Sequence, residues 1–126
     1  MNRKAVTDYI KSEFGVTGEQ LWPDSPGDVV FRNRRNKKWF AIMMDVDKSK
    51  LGLSGEGRTD VINVKCNPLL IGSLLRAPGY LPAYHMSKAH WISILLDGGA
   101  PAEEIKDLID LSYETVDNGS KNNDKS

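Results

Sequence analysis

The stretch VVFRNRRNKKWFAIMM, residues 29–44, consists of two apolar runs around a polar centre. Residues 29–32 are β-branched, aromatic and basic, and residues 38–44 hold Trp39, Phe40, Ile42, Met43 and Met44. The NRRNK between them has the composition of a turn, so the spacing predicts a β-hairpin. Strands joined by so short a turn must run antiparallel, because a parallel return needs a crossover of about a dozen residues or more. An antiparallel sheet needs a second layer over at least one face, and the flanking sequence supplies it.

Upstream, residues 2–14 have helical periodicity: Asn2 is a candidate N-cap, Val6, Ile10 and Phe14 recur on one face, and Gly15 suits the C-terminal stop. In TGEQLWPDSPGD, Leu21 and Trp22 are expected to form a short strand that Pro23, Pro26 and Gly27 break. Downstream, DVDKSKLGLSGEGRTD (45–60) is polar and glycine-rich, a loop or a ragged hairpin. DVINVKC (60–66) alternates, with Ile62, Val64 and Cys66 on one face, as expected of a strand with one buried side. NPLLIGSLLR (67–76) opens as a helix, with Asn67 as cap and Pro68 in the first helical position.

A strand near 80–84, a turn at 85–88 and a strand over 89–96 follow. The last helix lies within 97–116, with Ile105, Leu108, Ile109, Ser112 and Val116 on one face. The expected order is α-β-β-β-β-α-β-β-α. It describes a two-layer α+β domain over residues 1–117, its mainly antiparallel sheet covered on one face by helices. Residues 118–126 are polar and expected to form a disordered tail.

A chain of 126 residues with 40% hydrophobic residues is the size and composition of one soluble domain. The N-terminus has no apolar run of signal-peptide length, and no run is long enough to span a membrane, so a cytoplasmic protein is expected. Cys66 is the one cysteine, which excludes an internal disulfide and fits a small buried hydrophobe. Net charge is zero but segregated: residues 1–96 hold 14 Lys/Arg against 9 Asp/Glu, and residues 97–117 hold one Lys against 7 Asp/Glu. A neutral chain of this kind can carry a basic and an acidic face.

His85 and His90 are the two histidines, five apart in LPAYHMSKAHWISILL (81–96). On one regular strand that odd spacing points them to opposite faces, which argues against a shared metal ion. No nucleophile elbow and no phosphate-binding glycine loop is present, so no catalytic residue, cofactor or metal is assigned. Arg32, Arg34, Arg35, Lys37 and Lys38 fall within seven residues at the predicted hairpin tip. They are either a solubilising tip that blocks edge pairing or a wing that contacts phosphates. A turn near 85–88 sets His85 and Lys88 at a second tip with Tyr84, His90 and Trp91 behind it, and Trp91 suits packing better than chemistry.

Three segments, NVKCNPLLIGSLL, GYLPAYHMSKAHWISILLDG and IKDLIDLSYETV, together resemble the MmcQ/YjbR family of small bacterial proteins. Asn63, Lys65, Pro68, Tyr84, His85, Met86, Lys88, His90, Trp91, Asp97, Ser112 and Tyr113 carry the match, and the KWFA strand at 38–41 fits it. The resemblance covers roughly residues 2–117. It departs from the family pattern at Asn67, where aspartate is common, and at GGAP, where a capping serine is frequent. It implies a fold similar to secretion-chaperone-like and CyaY-like proteins, and a DNA-binding role through two hairpin wings on one sheet.

The leading expectation is therefore a non-enzymatic, monomeric protein that binds double-stranded DNA. Arg32, Arg34, Arg35, Lys37, Lys38, Lys65, His85 and Lys88 would contact it, and the acidic last helix would face away. The alternatives are a protein-interaction module or a small-ligand binder with Tyr84, His85, Lys88 and His90 around a pocket.

Overall fold

The computed structural model describes residues 1–123. The 29–44 stretch is a hairpin of β1 (Val29–Arg32) and β2 (Trp39–Asp47), the second strand running on beyond Met44. A 3-10 turn, Lys48–Leu51, leads to β3 (Arg58–Lys65), so the glycine-rich 45–60 segment is the ragged hairpin of the two options. Helix α1 spans Arg3–Phe14, α2 Pro68–Leu74 and α3 Ala102–Asn123; β4 is Tyr80–Pro82 and β5 Trp91–Leu95. The five strands form one antiparallel sheet in the order β1-β2-β3-β5-β4.

The helices begin and end where side-chain chemistry dictates. Asn2 accepts a hydrogen bond from the Ala5 amide and Asn67 from the Leu69 amide, and Gly15 closes α1 in the left-handed conformation at φ 67°. All three helices cover the same sheet face. Val6 and Ile10 of α1, Ile71 of α2, and Ile105, Leu108, Ile109 and Val116 of α3 meet Phe31, Met43, Ile62, Val64, Ile92 and Ile94 in one core. Cys66 joins this core, where burial pushes its thiol pKa up.

Four expectations need correction. Leu21 and Trp22 form no strand; the pairing there is a single bridge, Glu19 to Val30, because Pro23 and Pro26 cannot sustain a ladder. Both faces of β3 are covered, since Val61 and Asn63 are as fully buried as Ile62 and Val64. The connection between β4 and β5 is longer than the turn expected at 85–88, so His90 precedes the strand and is exposed. Helix α3 continues to Asn123 where a tail was expected from 118, because no proline follows Val116 to force a stop; residues 124–126 of that expected tail lie outside the described residues.

One irregularity determines what the second sheet face presents. Phe31 pairs with Ala41 but Arg32 pairs with Trp39, so Phe40 is the extra residue of a β-bulge. Phe40 and Ala41 both enter the helix-side core, and Trp39 is thereby turned to the other face. There it joins Val30, Ile42, Met44, Ala83, Met86 and Trp91 in a second, smaller apolar cluster.

Candidate functional site

The strand registers bring the two basic turns to one end of the sheet. Arg32 pairs with Trp39, Ala41 with Val64, and Lys65 with Trp91. The turn at 33–38 and the connection at 83–90 therefore leave the sheet at the same end, with Lys65 between them. With strands about 4.8 Å apart, the axes of the β1–β2 and β4–β5 pairs are separated by about 14 Å. The opposite end mixes Asp45, Asp47, Asp60 and Asp97 with Lys48, Lys50 and Arg58, so the unmixed run of cations lies at the end with the two turns.

The first tip is held rigidly. Asn33 is fully buried, and its side-chain oxygen accepts from the Arg35 amide at 2.8 Å and the Asn36 amide at 3.3 Å. The Asn36 side chain donates to the Val116 carbonyl at 3.2 Å. Arg35 donates to the Asp117 carboxylate and carbonyl, both at 2.7 Å. The end of the acidic helix thus packs on the tip rather than facing away from it, because Asn33, Asn36 and Arg35 all find partners there.

The other predicted cations are distributed as follows. Arg32 pairs with Glu19 at 2.8 Å. Arg34 is exposed and drapes over Gly15, at the C-terminus of α1, where the helix carbonyls favour a cation. Lys37 is exposed and takes a left-handed conformation, φ 64°. Lys38 and Lys65 are half-buried, and the Lys38 amide donates to Asn36 at 2.9 Å. Arg34, Lys37, Lys65 and Lys88 form no salt bridge with a described residue.

The second tip is built from below by polar core residues. Asn63 and Ser93 are fully buried on neighbouring strands and hydrogen-bonded to each other. Asn63 donates to the Tyr84 carbonyl at 2.9 Å, and Ser93 accepts from the Tyr84 amide at 2.9 Å. The Lys88 ammonium donates to the Ala83 carbonyl at 2.9 Å. His85, held at φ 59°, stacks on Tyr84 with ring centroids 4.0 Å apart. A non-glycine residue in this region stores strain that the surrounding bonds must hold. His85, Lys88 and His90 are all exposed, but His90 contributes its backbone, accepting from the Cys66 amide at 2.8 Å.

A concavity on the open sheet face adjoins the second tip. It is a groove of about 600 Å³ floored by Ile42, Met44 and Val46. Trp22 and Trp39 wall one side, edge to face at 5.9 Å, and Tyr84, His85 and Met86 wall the other. Of the four residues expected around a pocket, Tyr84 and His85 line this groove, and Lys88 and His90 do not. Its polar lining holds Asp24, Asp28, Asp45 and Asp47 against Lys50 and Arg58. Sequence reasoning missed this site. Tryptophan followed by two prolines within four residues was the available signal, since such an indole sits on irregular chain rather than in a ladder.

The match with known proteins accords with this geometry. The YjbR family model matches residues 12–115. Protein YyaQ of Bacillus subtilis (strain 168) is 37% identical over 113 residues, 90% of this chain and 96% of its own. Protein YjbR of Escherichia coli (strain K12) is 43% identical over 83 residues, 64% of this chain and 70% of its own. A crystal structure from Pseudomonas syringae superposes with a TM-score of 0.88 at 43% identity, covering 90% of this chain and 97% of that one. With its antiparallel sheet, its helices on one face and these relatives over most of its length, the chain belongs to the YjbR family.

Proposed function

We propose that this chain is a monomeric, cytoplasmic, non-enzymatic protein that binds double-stranded DNA through the basic end of its sheet. The observation that carries the reading is the common exit of the 33–38 and 83–90 turns on either side of Lys65. Lys37, Lys65, Lys88 and Arg34 are the cations offered to phosphates; Arg32, Arg35 and Lys38 shape the first tip, and His85 the second. The duplex engages this end of the sheet and not the open face, whose groove is lined by more carboxylates than cations.

Binding of labelled duplex by anisotropy, at several salt concentrations, tests the proposal. Four phosphate contacts give a log–log salt slope of about −3.6. Lys65→Glu with Lys88→Glu should flatten the slope and weaken binding, and Glu56→Gln, at the opposite end, should change neither. Absence of binding at about 50 mM salt, or equal loss from Glu56→Gln, overturns the reading.

A further inference from the structure

The open-face groove has features that DNA binding does not use. Trp22 is 39% exposed on irregular chain beside Leu21 at 37%; the other exposed large apolar side chains, Leu69, Leu75 and Leu111, lie on or beside helices away from this groove. The segment bearing Trp22 is pressed against β2: a Cβ on Gly27 would lie 2.9 Å from that of Asp45, and Arg3 donates to the Gly27 carbonyl. Glycine is therefore required there, and the indole is held over the groove by fixed backbone.

The groove's chemistry selects a cation. Two indoles and the Tyr84 ring offer electron-rich faces, which attract ammonium and guanidinium groups. The protein already uses one of them so: the Arg32 guanidinium lies 5.9 Å from the Trp39 ring centroid. Asp45 is neutralised by Arg58 at 3.0 Å, and Asp47 accepts from Ser49. Asp24 and Asp28, by contrast, have no hydrogen-bond or ion-pair partner for their carboxylates among the described residues. A volume of about 600 Å³ falls within the ordinary range for small-molecule sites.

We infer that the groove binds a small organic cation, its charged head between Asp24, Asp28 and the indoles and its apolar body on Ile42, Met44 and Met86. Three probes on one ring frame test this: benzylammonium, benzyl alcohol and benzoate, followed through the indole N–H signals of Trp22, Trp39 and Trp91. Benzylammonium should shift Trp22 and Trp39 saturably and leave Trp91 unmoved, with benzoate weaker by about tenfold or more. The Asp24→Asn, Asp28→Asn double variant should lose this advantage while benzyl alcohol binding stays as it was. Both residues lie on an exposed segment, so a dispersed spectrum will confirm that the variant is folded. Equal response to the three probes overturns the inference, as does a response centred on Trp91. Displacement of nothing but a tetralysine peptide, with benzylammonium inert, also overturns it and makes the occupant a peptide. Saturating duplex DNA should leave benzylammonium bound, which separates this site from the basic end.

Discussion

Ser112 shows how one small polar side chain ties the layers together. It is fully buried, donates to the Phe40 carbonyl at 2.6 Å and accepts from the Lys65 amide at 2.8 Å. Both partners are backbone groups at the bulge and at the end of β3, where the ladder leaves them open. Ser112→Ala strands both in the core and should lower stability by about 1–3 kcal/mol, read as a lower urea midpoint with an unchanged slope. Tyr113, its neighbour, stacks on Phe14 at 4.2 Å and accepts from the Arg34 amide at 3.3 Å. Lys37 poses the opposite case, a strained residue carrying a charge. Lys37→Gly relieves the left-handed backbone and should stabilise the fold by about 1 kcal/mol. The same change removes a proposed phosphate contact, so the DNA salt slope should fall by about one. A variant both more stable and weaker in binding would separate the two roles of that position.

The connection between β2 and β3 has no fully buried residue over 47–57, and a carboxylate organises it. Asp47 caps the 3-10 turn, accepting from the Ser49 amide and hydroxyl, and these bonds hold its pKa below the usual carboxylate value. A depressed pKa stabilises the turn fully above the unfolded value near about 3.9, and that contribution is lost as pH falls through the lower folded value. The Ser49 amide resonance should therefore titrate with a midpoint below about 3.9, and Asp47→Asn should abolish the transition. A midpoint at or above the unperturbed value would show that the cap is not formed. The β4–β5 connection is ordered differently, by the buried Asn63–Ser93 pair, which explains why those two polar residues sit in mid-sheet.

Taken together, the sheet's two free edges are short and guarded. β4 is three residues long and ends in Pro82, and β1 is four residues long with its outer side bridged at Val30 by Glu19. Edges of this kind resist strand addition from a second copy. Sedimentation should give a single species at the chain mass of 14.0 kDa up to about 100 µM, a concentration at which pairing with a Kd of about 1 µM would be complete. A dimer there would refute the monomeric reading. The cations of the 33–38 turn, Lys65 and Lys88 gather at one end of the strands, so a molecule with zero formal net charge still presents one basic end.

Local patterns in the chain were enough for the α+β class, the hairpin at 29–44, the caps at Asn2 and Asn67, and the buried stripe of α3. Each rests on periodicity or on a side chain bonding to backbone a few residues away, and such physics is written in neighbouring residues. The family too was legible, in the run from Tyr84 to Trp91. The true extent of that connection was not, because Asn63 and Ser93, distant in sequence, hold it open. Nor was the orientation of Trp39, since a bulge shifts alternation by one residue only when a partner strand defines the register. The pairing of Arg35 with Asp117, the common end of the two basic turns and the aromatic groove all depend on strand order. Sequence separation carries no information about that order, and only packing the strands against three helices decided it.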